Sequence, residues 1–218
     1  MTYSQDRTAS RIFWQIGVAA LGRLFLNTAR RFAYPFAPAL SRGMGISLTA
    51  VTSLIAINQV TGVLGLVFGP LGDRWGYRSM MLAGLSLLTI GMVTGGVFPF
   101  YGSILMAFFL AGLGKTIFDP ALQAYVGSQI PYERRGIVIG IVEISWAGSS
   151  LAGIPLIGLL IGHFGWRSPF LVLGGLGVLS IVGLGMLTFE TQKSSAAHPQ
   201  PLHFFQSWRQ LGLKRSAL

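Results

Sequence analysis

Apolar residues in this chain are gathered into six long runs, separated by short polar connectors that contain Gly and Pro. Each run has at least the roughly 20 residues that a helix needs to cross the hydrocarbon core of a bilayer. Lipid offers no hydrogen-bond partners, so such runs must be helical. We therefore predict an all-α membrane protein with six transmembrane helices. The predicted spans are Ile12 to Leu40, Ser47 to Phe68, Ser79 to Phe98, Tyr101 to Ile130, Gly136 to Ile161 and Ser168 to Phe189.

The composition excludes several classes of protein. Of the 218 residues, 52% are hydrophobic and 10% are charged, which is too few charges for a water-facing surface. The absence of Cys excludes disulfides and thiol catalysis, and the three His (His163, His198 and His203) are too scattered for a metal site. The sequence contains no nucleophile–base pair and no phosphate-binding loop. We therefore expect neither an enzyme nor a cofactor.

The basic residues indicate how the chain crosses the membrane. A net charge of +10 would fit a nucleic-acid-binding protein, but such a protein needs its basic residues on one solvated face. Here ten lie in loops on one side of the predicted topology, against two, Arg42 and Arg167, on the other. By the positive-inside rule both termini are cytoplasmic, so we expect a multi-pass protein of the cell membrane that binds no nucleic acid. The ten are Arg7, Arg11, Arg74, Arg78, Arg134, Arg135, Lys193, Arg209, Lys214 and Arg215.

The two ends of the chain leave alternatives open. A cleaved signal peptide would have an apolar run like Ile12 to Gly22, but Arg23 interrupts this one and no clear small-residue cleavage site follows. The stretch from His203 to Leu211 is either an amphipathic helix on the inner leaflet or a disordered tail. We predict a cytoplasmic N-terminus over 1–11, a six-helix bundle over 12–189, and a cytoplasmic linker or tail over 190–218.

An internal repeat relates the two halves of the bundle. Segment 75–79, Trp-Gly-Tyr-Arg-Ser, matches segment 164–168, Phe-Gly-Trp-Arg-Ser, at three of five positions and at an offset of 89 residues. The same offset lays the second predicted span over the fifth and the third over the sixth. Three spans separate the copies, so one loop is cytoplasmic and the other external. This predicts two three-helix repeats related by inversion in the membrane plane, as in secondary transporters.

The loop between the second and third spans reads Gly-Pro-Leu-Gly-Asp-Arg-Trp-Gly-Tyr-Arg over 69–78. This sequence resembles the signature loop of the major facilitator superfamily, which lies in the same place on the cytoplasmic side. The resemblance implies that the loop latches the cytoplasmic gate, and an ordinary charged turn is the alternative. The residues that carry this hypothesis are Gly69, Gly72, Asp73, Arg74, Gly76 and Arg78.

Two further family marks are incomplete. The fourth span has the Gly-any-Gly at Gly112 and Gly114, but Phe108 stands where the family often has a basic residue. The fifth span keeps only half of the antiporter signature, at Ile154-Pro155 and Gly158-Leu159. These departures argue against proton-coupled drug antiport and leave the fold untouched.

The resemblance also implies a function and a partner. Family members have two six-helix bundles that enclose one path, and this chain corresponds to the N-terminal bundle. We therefore expect alternating-access transport of a small solute, with efflux as the direction, and a second half in cis or in trans. The alternative is a non-transporting membrane polypeptide, either truncated or structural.

Polar residues inside the predicted spans form the second candidate site. They are costly in lipid unless they face a partner or a water-filled cavity. In the first span the polar residues, which include Tyr34, recur on one face of the helix. In the fourth span the polar residues are spaced at i, i+4 and i+8 and also share one face. Comparable depth predicts ion pairing among Arg23, Asp119 and Glu143. The candidate residues are Arg23, Asn27, Arg30, Arg31, Lys115, Asp119, Gln123 and Glu143.

Two interpretations of these residues are open. Buried pairs can simply lock the bundle together, or some of the residues contact the solute or the gate. Their four basic against two acidic members leave a positive surplus that suits an anionic or electron-rich solute. Alternatively, Arg30 and Arg31 lie near the outer surface and extend to the lipid headgroups. The five Trp are expected to be interface anchors.

Overall fold

The structure, a computed structural model, describes residues 2–65, 68 and 75–187, with side chains from Ile12 onward. The secondary structure is a succession of helices. A 3-10 turn, Thr61–Leu64, follows α3, and a π-helical turn, Ser149–Gly153, joins α6 to α7. The helices are α1 (Thr2–Arg31), α2 (Ala37–Met44), α3 (Leu48–Val60), α4 (Tyr77–Val97), α5 (Tyr101–Gln129), α6 (Tyr132–Gly148), α7 (Ile154–Phe164) and α8 (Ser168–Met186).

Five stretches of the described residues are long and apolar enough to cross a membrane, and a bent pair of helices makes a sixth. The five are Ile12–Arg31, α4, α5, Tyr132–Phe164 and α8. The bent pair consists of α2 and the stretch Leu48–Leu64, and the chain direction bends by 119° between them. The prediction of six membrane-crossing segments is therefore confirmed when this pair counts as one.

The predicted end of the first span is wrong. Helix α1 ends at Arg31 rather than at Leu40. Pro35 explains the break, because it has no N–H to donate to the Arg31 carbonyl and its ring would clash with that carbonyl in a continuous helix. The Arg31 carbonyl instead accepts the N–H of Tyr34, at 3.1 Å. Arg31 consequently lies at a helix end within the bundle.

Helix α5 is at the centre of the bundle and packs against α1, α3, α4 and α6, while α8 packs against α1 and α4. Three fully buried phenylalanine rings hold α5 and α8 against the turn that follows α1. The Phe32 ring stacks on Phe108 with centroids 5.6 Å apart and meets the edge of Phe170 at 5.3 Å. Such aromatic pairs add about 0.5–1.5 kcal/mol each beyond their buried area.

The Gly-any-Gly of α5 permits two close helix contacts. A Cβ at Gly114 would lie 2.4 Å from the Gly84 carbonyl oxygen of α4, and a Cβ at Gly112 would lie 2.6 Å from the Asn58 carbonyl oxygen of α3. Both approaches are too short for any side chain, so the two glycines set how closely α5 packs against its neighbours.

The internal repeat is visible in the backbone. Gly76 and Gly165, which correspond to each other at the offset of 89 residues, both have φ of +82°. This left-handed region favours Gly, so each copy turns at its glycine into the segment that follows. Within the described residues Gly45 also has a positive φ, of +66°.

Candidate functional site

Arg23 of α1 links three helices of the bundle. Its Nε donates to Asp119 Oδ1 of α5 at 3.1 Å, and its Nη1 donates to Glu143 Oε1 of α6 at 2.7 Å. The arginine side chain is only 6% exposed, whereas Glu143 is 46% exposed. A buried guanidinium requires compensation of this kind, because an unpaired charge at the centre of a bilayer costs about 2.5–3.5 kcal/mol on insertion scales. The structure thus brings together the three residues whose pairing we predicted.

Lys115 completes this cluster on α5. Its Nζ donates to Asp119 Oδ2 one turn along the same helix, a spacing at which side chains of a helix meet. Asp119 therefore accepts from both Arg23 and Lys115. We call Arg23, Lys115, Asp119 and Glu143 the paired cluster, and its two cations and two carboxylates balance.

A cavity of about 660 Å³ lies beside the paired cluster. Five helices, the π turn and the segment after α1 contribute to its wall. The lining combines cationic, aromatic, polar and apolar side chains: Arg30, Arg31, Tyr34, Pro35, Gln59, Lys115, Trp146, Ser150 and Ile154.

Arg30 and Arg31 contact only neutral groups in this cavity. Arg30 Nε donates to Gln59 Oε1 of α3 at 3.0 Å. Arg31 Nη1 donates to Ser150 Oγ at 3.1 Å, and its guanidinium lies 4.3 Å from the centre of the Trp146 ring, a cation–π geometry. Among the described residues, neither arginine forms an ion pair with a carboxylate. The positive surplus of the bundle interior is therefore located on these two side chains.

The cavity lies halfway along two spans. Lys115 is the middle residue of the 29-residue helix α5. Trp146 and Ser150 flank Gly148, the middle residue of the 33-residue span Tyr132–Phe164. Arg31, which contacts both of these side chains, is therefore near the middle of the bundle. This position argues against the alternative that Arg31 extends to the outer headgroups.

Two of the predicted polar residues are not brought into these contacts. Gln123 is exposed and is not part of the cavity lining. Asn27 is 1% exposed and lies on α1 between the paired cluster and the cavity, but its side-chain amide has no hydrogen-bond partner among the described residues. The even spacing of the polar stripes therefore overstated how many of their members act together.

Sequence reasoning missed five lining residues: the apolar Pro35 and Ile154, together with Gln59, Trp146 and Ser150. Gln59 carries no charge and belongs to no motif, and Trp146 was expected to be an interface anchor, which is wrong for this tryptophan. The signal for Ser150 was weak. It lies in the π-helical turn just before Pro155, and such turns recur at functional sites.

The signature loop falls partly outside the described residues. Gly69, Gly72, Asp73 and Arg74 lie there, whereas Gly76 and Arg78 are described. Arg78 Nη2 donates to the carbonyl oxygen of Gly185 in the last turn of α8. A cation at a helix C-terminus is favourable because it meets the negative end of the helix dipole. Arg78 therefore ties the start of α4 to the end of α8.

Relatives of this chain are membrane transport proteins. The chain is 30% identical over 137 residues to the uncharacterized MFS-type transporter YwfA of Bacillus subtilis. The match covers 62% of this chain and 33% of YwfA. The chain is 23% identical over 175 residues to the inner membrane transport protein YdhP of Escherichia coli, covering 80% and 45% respectively. The chain thus spans a third to less than half of these relatives.

Solved structures with the same fold include two transporters. The proton:xylose symporter XylE superposes on 82% of this chain with a TM-score of 0.70 at 17% identity, and the chain covers 45% of XylE. The peptide transporter POT in complex with sulfate superposes on 95% of this chain with a TM-score of 0.71 at 15% identity, and the chain covers 44% of it. At these sequence identities the similarity shows a shared fold and not a shared substrate.

The family model of the Major Facilitator Superfamily matches residues 19–217, which is nearly the whole chain. That match agrees with the inverted repeat and with the all-α bundle, and the structural neighbour XylE is described as a member of the same superfamily. The chain therefore belongs to the major facilitator superfamily, and its fold is that of the N-terminal bundle.

Proposed function

We propose that this chain is one half of a transporter that moves a small solute across the membrane by alternating access. The observation that carries the proposal is the cavity at mid-span, which places cationic and polar side chains where lipid would penalise them. Its volume of about 660 Å³ is in the range of small-molecule sites. In this proposal the cavity is one wall of the solute path.

A second six-helix bundle, on the same chain or on a partner chain, would supply the opposite wall. The exposed face of α3 and of the α6–α7 span supports this part of the proposal. In the apolar window of Tyr132–Phe164 only 22% of the residues are buried, against 56% for α5. Large apolar side chains protrude from this face: Val60, Val63, Ile137, Ile144 and Leu151. Relatives two to three times as long as their matched region have room for such a bundle.

The remaining parts of the proposal concern gating and direction. The loop that contains Asp73, Arg74, Gly76 and Arg78 would stabilise the inward-closed state, as its resemblance to the family signature implies. With both termini cytoplasmic, that loop faces the cytoplasm, and the solute would leave the cell through its plasma membrane. The inner membrane named for YdhP supports this location.

Cysteine labelling tests the proposed cavity without knowledge of the solute. This chain has no Cys. Once any Cys of the second bundle is replaced by Ser, a single introduced thiol reports only its own surroundings. We expect Ser150→Cys to react with a membrane-impermeant maleimide in the complete protein, because the cavity admits water. Leu179→Cys, on an exposed part of α8, is the control and should stay unreactive because it faces lipid. Equal lack of reaction at both positions would remove the solute path and leave a structural membrane polypeptide.

The gate is tested with the same label. In inside-out vesicles, Asp73→Asn in the Ser150→Cys background should raise the rate of labelling several-fold, because the latch of the inward-closed state is lost. Glu133→Gln, in the first turn of α6, removes one carboxylate in the same way and should leave the rate unchanged. An unchanged rate with Asp73→Asn would reduce the loop to an ordinary charged turn.

A further inference from the structure

We propose that the cavity binds a small organic anion, whose carboxylate or other oxyanion is held by Arg30 and Arg31. This inference rests on the proposed function, because it names the class of solute that the transport site takes. It depends on four features of the described residues: the place of the charge surplus, its depth, the free donors of the two arginines, and the apolar part of the wall.

The charge surplus belongs to the cavity and not to the bundle as a whole. Arg23 and Lys115 are balanced by Asp119 and Glu143. Arg30 and Arg31 add two positive charges whose partners, Gln59 and Ser150, are neutral. A ligand that brings one or two negative charges would neutralise this surplus, whereas a cationic ligand would increase it.

The depth of the site makes this surplus costly to leave uncompensated. Lys115 is at the middle of α5, and the residues around Arg31 are at the middle of the α6–α7 span. At that depth water in the cavity screens the charge only partly, and lipid does not screen it. A bound anion therefore gains more at this site than the same anion would gain at an exposed arginine.

The two guanidinium groups keep donors available for an oxyanion. Each guanidinium has five N–H donors in a fixed fork, which matches the two oxygens of a carboxylate or of a phosphate. Arg31 uses one nitrogen, Nη1, for Ser150 and rests on the Trp146 ring, so it is already oriented. Arg30 uses Nε for Gln59. These contacts reduce the entropy lost when an anion binds.

The rest of the wall selects an organic anion. Pro35 and Ile154 are apolar, and Tyr34 presents an exposed ring with a hydroxyl group. An inorganic anion would leave this surface in contact with water. A carboxylate attached to an apolar or aromatic body would cover it while its charged end contacts Arg30 and Arg31.

Probes of equal size and different charge test the inference. The complete transporter, with both bundles, is placed in lipid nanodiscs, and binding of radiolabelled benzoate is measured against benzamide and benzylamine as competitors. We expect benzoate to bind, unlabelled benzoate to compete at least tenfold better than benzamide, and benzylamine not to compete. A tenfold ratio corresponds to about 1.4 kcal/mol.

Variants assign the binding to the two arginines. Arg31→Gln and Arg30→Gln should each weaken benzoate binding about tenfold or more, and Arg31→Lys, which keeps the charge but loses the fork, should lie between Arg31→Gln and wild type. Arg42→Gln, an exposed arginine of α2, is the control and should bind like wild type. Gel filtration of each variant separates a binding defect from a folding defect.

Three outcomes would overturn the inference. They are benzamide competing as well as benzoate, no binding of benzoate at all, or full binding by both glutamine variants. The last outcome would mean that benzoate binds elsewhere and that neither arginine holds its carboxylate. The labelling of Ser150→Cys does not depend on the charge of the solute, so the transport proposal survives any of these results and fails only by its own test.

Discussion

Two groups of positive charge on helix α1 differ in how they are compensated. Arg23 is buried and contacts a carboxylate on each of two other helices. Arg30 and Arg31, about two turns further along, line a cavity and contact only neutral side chains among the described residues. The charges of the first group are balanced, whereas the second group has no carboxylate partner among the described residues. Charged residues within one membrane helix therefore need not share one role.

The difference follows from the neighbouring helices. Beside Arg23, α5 and α6 present Asp119 and Glu143. Beside Arg31, the span that contains α6 presents Trp146 and Ser150. Glu143, Trp146 and Ser150 all belong to the span Tyr132–Phe164. The two groups of arginines therefore differ in the side chains that they meet, and not only in their depth in the membrane. We expect stability to depend on the first group and ligand binding on the second.

The largest effect is expected from removal of the shared cation. Arg23→Met leaves Glu143 without its cation and Asp119 with Lys115 alone, and breaking a buried ion pair from one side costs about 3–5 kcal/mol. We expect a corresponding fall in the free energy of unfolding, measured by chemical denaturation in detergent micelles. Arg42→Met, at an exposed position, should change it by about 0.5 kcal/mol or less.

A double variant shows whether charge balance is the reason. Arg23→Met with Glu143→Gln leaves the Lys115–Asp119 pair balanced. It should therefore unfold at a higher denaturant concentration than Arg23→Met alone. If the double variant is no more stable than the single one, packing of Arg23 and not its charge holds the three helices together.

A smaller effect distinguishes the two carboxylates. Asp119 accepts from two cations and is 22% exposed, whereas Glu143 accepts from one and is 46% exposed. We expect Asp119→Asn to cost about 3 kcal/mol of unfolding free energy. In detergent micelles Glu143→Gln should cost about 1 kcal/mol or less, because a half-exposed pair contributes less than a buried one. Equal losses in the same unfolding assay would contradict the assignment of Asp119 as the centre of the cluster.

The smallest effect on stability is expected in the cavity. Arg31→Gln loses one hydrogen bond and one cation–π contact, but it also removes an uncompensated charge, so the net change should stay within about 1 kcal/mol. Arg23→Gln, the same substitution in the paired cluster, is the comparison in the same assay. A loss as large as that of Arg23→Gln would show that Arg31 is held by a carboxylate after all.

Part of this site was predictable from the sequence. Arg23, Asp119 and Glu143 fall at comparable depth in three predicted helices, and opposite charges in an apolar bundle have to meet. The lining by Gln59, Trp146 and Ser150 was not predictable, because a neutral side chain within an apolar run gives no signal of the neighbour that it faces. The π-helical turn adds to this difficulty, since it rotates every later side chain of its span relative to a regular helix.

The end of the first helix at Arg31 was also not predictable from the sequence. Hydropathy continues through Pro35 to Leu40, so a pattern of apolar residues places the end of the run too late. Only the hydrogen bonds after Arg31 reveal where the helix stops. This break matters for the site, because it leaves Tyr34 and Pro35 as a turn in the cavity wall.

The sequence by itself determined the class of the molecule. Bilayer-length apolar runs must be helical because lipid satisfies no backbone hydrogen bond, and the repeated Gly76 and Gly165 segments order these helices into inverted halves. Comparable depth predicted the pairing of Arg23, but only the tertiary structure decided that Arg30 and Arg31 have no carboxylate partner among the described residues. The partners of Arg23 lie 96 and 120 residues away along the chain. Whether such distant residues meet depends on the rotation and spacing of packed helices, which close contacts such as that of Gly84 with Gly114 establish and no local pattern records.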